Sequence, residues 1–202
     1  MKSLSVMAVT AAALLAFAPT AAAVPANVNF ACQGSTPLGP QNFAFAQAAE
    51  VTAPATVAPG GALTVVIDPA PNTIPGSVNG YTVRRVQTFA LKLPIPANST
   101  YVSASLAGGS NVGTTNISVS GGVATVTASG PINGGAAFEL PTVTVNLTAG
   151  SSGTIETKLS GTSYSDPGLT FTAVVSSFLG NINVATKCFP DPNPVITTTT
   201  IA

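Results

Sequence analysis

The feature that most constrains the fold of this chain is the recurrence of apolar residues at every second position. Successive side chains on a β-strand point to opposite faces, so a period of two predicts strands, whereas helices show a period of 3.6. Alternating runs occur at 28–32, 43–46, 63–68, 88–93, 100–106, 116–120, 123–127, 142–148, 155–159, 169–175 and 182–188. This pattern predicts roughly ten strands.

Glycine and proline clusters separate these runs and predict the turns between strands. Ser120-Gly121-Gly122 is the clearest hairpin signal, because it joins two alternating runs directly. Each strand has one apolar face, and two sheets packed face to face bury all of those faces together. We therefore predict an all-β fold, a two-sheet antiparallel β-sandwich of Greek-key type. No linker divides residues 27–189, which predicts a single domain there.

The two cysteines of the chain, Cys32 and Cys188, each end an alternating run and lie on its apolar face. We predict that the first and last strands of the sandwich meet and that these residues form a disulfide bond between them. Two free buried thiols are the alternative. A disulfide requires an oxidising compartment, which export from the cytoplasm provides.

The N-terminus predicts such export. Lys2 precedes an apolar stretch at 4–17, and Ala21-Ala22-Ala23 offers a cleavage site, so residues 1–23 are interpreted as a signal peptide. An uncleaved anchor or a lipoprotein signal at Cys32 is the alternative. The apolar stretch is shorter than the ~20 residues of a spanning helix, so we predict no transmembrane helix in the mature chain. The expected location is secreted or at the cell envelope.

Two proline-rich segments interrupt the pattern. Residues 69–80 contain Pro69, Pro71 and Pro75 and are interpreted as a crossover between sheets, with a binding loop as the alternative. Residues 190–202 follow Cys188 with three prolines and then a run of threonines. Because proline cannot donate to a sheet ladder, we predict that 190–202 form an extended tail outside the domain.

The composition excludes several chemistries. The chain has no histidine and only six acidic and six basic residues. The missing histidine removes the usual general base and most zinc and copper sites, so we predict no enzyme activity, no catalytic or metal-binding residues and no cofactor. A paired-carboxylate hydrolase remains an alternative, drawing on Glu50, Asp68, Glu139, Glu156, Asp166 and Asp191. Without a basic field, nucleic acid is not an expected partner.

Arginine and tyrosine are the remaining candidates for recognition. Arg84 and Arg85 are adjacent, and adjacent residues on a strand face opposite ways, so the two are predicted to form no patch. Arg85 shares a face with apolar residues and is expected at the rim of a sheet. Tyr81, Tyr101 and Tyr164 are interpreted as packing residues at strand ends, with a small binding site near Tyr81 as the alternative.

The sequence resembles small secreted actinobacterial β-sandwich proteins, immunoglobulin-like and of uncharacterised function. The residues that carry the resemblance are the alanine-rich signal, Cys32 at the end of the first strand, the segments 53–61 and 93–96, and Gly130-Pro131 followed by Phe138-Glu139-Leu140-Pro141. The resemblance implies export and supplies no catalytic residues. Antibody-type domains place a tryptophan between their cysteines, and this chain has no tryptophan.

We therefore expect a non-enzymatic protein that acts in binding, adhesion or surface structure. Its partner would be an unknown protein or envelope component. Charged residues make up only 6% of the chain, which suggests a surface that is covered, assembled or close to an apolar envelope. One alternative is an outer-envelope β-barrel channel subunit, since alternation also fits membrane strands. Another is a carrier that holds a lipid or other apolar ligand between its sheets.

Overall fold

The structure, a computed structural model, describes residues 21–178 and 180–202. Within these residues every regular element is a β-strand. The strands are β1 (Ala21–Thr36), β2 (Gly39–Pro54), β3 (Thr56–Val57), β4 (Ala62–Pro69), β5 (Asn72–Thr73), β6 (Ser77–Val78), β7 (Tyr81–Pro94), β8 (Ser99–Ala107), β9 (Thr115–Ser120), β10 (Val123–Ala128), β11 (Ile132–Asn133), β12 (Ala137–Phe138), β13 (Thr142–Ala149), β14 (Gly153–Thr157), β15 (Leu169–Ser177), β16 (Gly180–Pro190) and β17 (Thr197–Ile201).

Twelve strands form one antiparallel sheet, in the order β8-β13-β4-β2-β1-β16-β15-β7-β10-β9, with β6 and β11 paired to β7. This sheet folds over itself, because β4 and β13 share one buried cluster with β7 and β10. The predicted all-β sandwich is confirmed, but both of its layers come from one continuous sheet. Alternation shows which residues of a strand share a face, but it does not show which strands pair. The sequence therefore could not show that the two layers belong to one sheet.

The long alternating runs correspond to β1, β2, β4, β7 to β10 and β13 to β16. The predicted β9–β10 hairpin is confirmed, since Ser120 pairs with Val123. Gly121 and Gly122 both have positive φ, at 57° and 76°, as a two-residue turn of this kind requires. The alternation pattern did not predict five short strands, because each has only two residues and two residues show no alternation. They are β3, β5, β6, β11 and β12.

The interior contains two buried clusters. The first includes Phe30, Leu169 and both cysteines, and the second includes Val51 and Leu147. Leu91 and Leu159 pack against both clusters, so the core is continuous.

The predicted disulfide is confirmed. Cys32 on β1 lies directly opposite Cys188 on β16, and their sulfur atoms are bonded. Both residues are 0% exposed. The bond joins the two central strands of the main sheet and closes a loop with a sequence separation of 156 residues.

The structure corrects the prediction for residues 190–202. The segment does not end in a free tail, because β17 lies in a three-stranded sheet between β14 and β3. Thr197, Thr199 and Ile201 alternate with exposed threonines and are buried. The prolines of the segment all precede β17 and leave its ladder intact. The threonine run is therefore a strand with period two, and the core extends past residue 189.

If β17 belongs to the core, its apolar end should contribute to stability. We expect Ile201→Ala to lower the free energy of unfolding by about 2 kcal/mol, because Ile201 is buried in the second cluster. The exposed neighbour gives the control, and Thr200→Ala should change stability by less than about 0.5 kcal/mol. Urea denaturation of both variants measures the difference, and equal effects would contradict the placement of β17.

The predicted signal peptide, residues 1–23, lies largely outside the described residues. Its last three residues, Ala21 to Ala23, are exposed and continue β1, where they pair with Pro54, Ala53 and Thr52. Cleavage after Ala23 would shorten β1 at this exposed end and leave the pairing of Val24 with Val51 in place.

Candidate functional site: an apolar cavity between the layers

The crossover at 69–80 covers one end of the first buried cluster. It links β4 to β7, which lie on opposite sides of β2, β1, β16 and β15 in the sheet. Two small pairings hold it down, β5 with β12 and β6 with β7. The backbone of Ile74 adds hydrogen bonds to Ala136 and Gly135, and Ile74 is buried. The segment is a crossover, but it joins two strands of one sheet and not two separate sheets as predicted. It also forms one wall of a cavity.

This cavity, which we call the crossover cavity, lies between the crossover and strands β1, β2, β7, β15 and β16. Its volume is about 80 Å³. Its wall is almost wholly apolar, with large side chains from Phe43, Phe45, Ile74, Val83, Val86, Phe89, Ile132, Phe138, Phe171, Val175 and Val184. Such a wall favours an apolar occupant, because a polar ligand would lose its hydrogen bonds to water there.

Three polar side chains at the cavity wall are hydrogen-bonded to the protein itself. Thr36 Oγ1 donates to the Gly39 carbonyl at 2.7 Å, and Asn79 Nδ2 donates to the Asn42 carbonyl at 3.0 Å. Thr186 Oγ1 donates to the Val184 carbonyl at 3.3 Å. These groups hold the turns and strands around the cavity. The wall includes no charged residue, so it offers no partner for an ionised ligand group.

A second apolar cavity, of about 50 Å³, lies next to the first. Phe45 and Phe89 line both cavities. The ring centroids of Phe45 and Phe30 are 6.4 Å apart, and Leu169 forms part of the second wall. The side chains of Phe45 and Phe89 therefore lie between two neighbouring voids.

The structure brings two of the six carboxylates together. Glu50 on β2 lies directly opposite Asp68 on β4, and both are exposed. Asp68 accepts a hydrogen bond of 2.6 Å from Thr142 Oγ1. The pair lies on the solvent-facing side of the sheet and not across a cleft, so its position does not favour the hydrolase alternative. Among the described residues, no group of three His, Cys, Asp or Glu could hold a metal ion.

The prediction that Arg84 and Arg85 face opposite ways is wrong. Both are exposed, because the pairing of β7 with β15 shifts register and inserts an extra residue at Arg84. A β-bulge of this kind directs two successive side chains to the same side. Arg84 Nε donates to Ser176 Oγ at 2.6 Å, and Arg85 Nε donates to Gln87 Oε1 at 3.1 Å. A bulge leaves no local signal in the sequence except a spacing of three between buried residues.

The tyrosines have different environments. Tyr81 lines the crossover cavity, which agrees with the alternative of a small site near this residue. Tyr164 packs edge-on against Phe189, with ring centroids 5.1 Å apart, as expected for a packing residue. Tyr101 is 38% exposed on β8. Only Tyr81 among them therefore contributes to the candidate site.

No protein-family model matches this sequence, and no curated protein matches it. One solved structure is similar in fold, a protein from Corynebacterium diphtheriae described as a "Putative membrane anchored protein". The TM-score is 0.57 at 19% sequence identity, and the match covers 88% of this chain. This chain spans 37% of the length of that protein. The source is an actinobacterium, in agreement with the resemblance found in the sequence, and the likeness shows the fold alone.

The disulfide bond is typical of proteins that fold outside the cytoplasm. Within residues 21–178 and 180–202, no helix has the length and apolar character needed to span a bilayer.

Proposed function

We propose that this chain is a non-enzymatic protein of the cell exterior, secreted or held at the envelope, and that it binds an apolar ligand inside the sandwich. The observation that carries the proposal is the crossover cavity, with its apolar wall and its position under a segment that joins the two sides of the sheet. The disulfide and the resemblance to secreted actinobacterial sandwich proteins support the location. The same cavity favours the carrier among the functions that the sequence left open.

The size of the cavity indicates the shape of the ligand. An apolar cavity of about 150 Å³ accepts benzene, whereas the crossover cavity is about 80 Å³. A slender group therefore fits better than a ring, and an unbranched alkyl chain is the simplest such group. A longer chain would pass between Phe45 and Phe89 into the second cavity.

Thermal unfolding with a series of 1-alkanols, from hexanol to dodecanol, tests this proposal. A ligand present at about one hundred times its Kd adds about 2.7 kcal/mol of stability, which raises Tm by roughly 8 °C for a domain of this size. We expect the rise in Tm to grow with chain length and then to level off when both cavities are full.

Two matched variants locate the binding site. Ala173 lines the crossover cavity, so Ala173→Leu should fill it and remove the rise in Tm. Ala185 lies on the neighbouring strand β16 and is exposed, so Ala185→Leu should leave the rise unchanged. Equal behaviour of the two variants would place alkanol binding outside the cavity, and the absence of any rise in the unaltered chain would refute the proposal.

A further inference from the structure

Three tight turns meet at one end of the sandwich, next to the crossover cavity. They join β1 to β2, β6 to β7 and β15 to β16. In each hairpin two residues lie between the last pair of opposed strand residues. A groove of about 330 Å³ runs between them. Thr36 and Tyr81 line both this groove and the crossover cavity, so the cavity lies directly beneath the turns.

The chemistry of two of these turns is unusual. Two-residue β-turns favour Asn, Asp and Gly, and Asn79-Gly80 in the β6–β7 turn follows this rule. The β1–β2 turn instead carries Pro37-Leu38, and the β15–β16 turn carries Phe178. Phe178 is 83% exposed and Leu38 is 68% exposed, the two highest values among the exposed large apolar residues of the described chain.

These two side chains are held outward by closed turns. Thr36 Oγ1 bonds both the Gly39 carbonyl and the Leu38 amide, and Ser177 Oγ donates to the Gly180 carbonyl at 3.0 Å. The exposure of Leu38 and Phe178 is therefore built into the fold. Turn chemistry does not call for an apolar side chain at either position.

We propose that this end of the sandwich, which we call the turn end, docks on a lipid bilayer, with Leu38 and Phe178 entering the acyl boundary. The area argues against a protein partner. A stable protein interface buries about 800 Å² on each side, whereas two projecting side chains offer less than about 400 Å². Isolated apolar side chains can instead enter a bilayer one at a time, since lipid adapts to their shape.

The absence of charged residues around the groove is compatible with a lipid partner. The turn residues that line the groove are uncharged, so none would have to be neutralised at the acyl boundary. A basic side chain close to this end is Arg84, whose Nε bonds Ser176 Oγ. Ser176 lies two residues before Phe178, which is roughly 7 Å along a strand. Arg84 would thus lie at the depth of the headgroups when Phe178 is inserted.

The absence of tryptophan from the chain makes a direct test available. Phe178→Trp introduces one tryptophan at the turn end, and Val102→Trp introduces one at an equally apolar position on β8, 59% exposed and four strands from β1. With phosphatidylcholine vesicles, we expect a blue shift and quenching by brominated lipid for Phe178→Trp, and neither effect for Val102→Trp.

Vesicle flotation supplies the second measurement. Leu38→Ser and Phe178→Ser should each lower the bound fraction, expressed as a partition coefficient, by about tenfold. Val102→Ser should leave it unchanged. Ala173→Leu should also bind vesicles normally, so the docking proposal stands or falls independently of the ligand proposal.

Three outcomes would overturn the docking proposal. The first is a folded Phe178→Trp chain whose emission does not respond to vesicles. The second is an equal response from Val102→Trp, which would indicate unspecific adsorption. The third is a dimer that Leu38→Ser or Phe178→Ser converts to a monomer without any lipid binding, which would assign the turn end to a contact between copies of this chain.

Discussion

The double variant Cys32→Ala, Cys188→Ala should lose roughly 3–5 kcal/mol of stability, the upper part of the range measured for disulfides. The bond closes a loop with a separation of 156 residues, and the chain-entropy relation gives about 5 kcal/mol for a loop of that length. Folded domains are stable by only about 5–15 kcal/mol, so this loss would bring the chain close to its unfolding threshold. Alanine is chosen because serine would bury a hydroxyl group where Cys32 and Cys188 are 0% exposed.

Urea denaturation, with and without a reducing agent, measures this effect. The unaltered chain should unfold at a lower urea concentration when the reductant is present, because unfolding exposes the bond. The double alanine variant should be insensitive to the reductant, since the described chain has no free cysteine. A loss below about 1 kcal/mol would mean that β1 and β16 pair equally well without the bond, and that the unfolded chain gains little from its release.

The position of the disulfide shows why part of this fold could be predicted from the sequence. Cys32 and Cys188 lie on the apolar faces of their strands, and a period of two is a local property that any alternating run displays. The class of fold, the long strands and the β9–β10 hairpin follow from the same local information. The pairing of β1 with β16 was accessible because the cysteines supply one contact that is distant in sequence.

The parts that the sequence did not predict depend on contacts that have no local signal. The threonine run of β17 becomes a strand only because β14 and β3 provide partners on both sides. The bulge at Arg84 is defined by its register against β15. The crossover cavity gathers side chains from five long strands and a crossover, so no single stretch of sequence contains it. The sequence indicated a site in this region only through two alternatives, a binding loop at 69–80 and a small binding site near Tyr81.

The variant Leu169→Ala should lose about 3 kcal/mol of stability, which is within the usual range for a fully buried leucine. Leu169 is 1% exposed and lies between Leu91 on β7 and Cys188 on β16. It also lines the second cavity, so truncation should enlarge an existing void instead of allowing the core to close. Leu38→Ala is the matched control, with an expected change below about 0.5 kcal/mol because Leu38 is 68% exposed.

The same variant also tests whether the two cavities form one path for a ligand. The enlarged second cavity should accept a longer chain, so Leu169→Ala should shift the alkanol that gives the largest rise in Tm toward greater length. Ala173→Leu, at the other end of the path, should abolish the rise for every alkanol. If Leu169→Ala instead leaves the preferred length unchanged, Phe45 and Phe89 act as a closed wall between the cavities, and the ligand is limited to the crossover cavity.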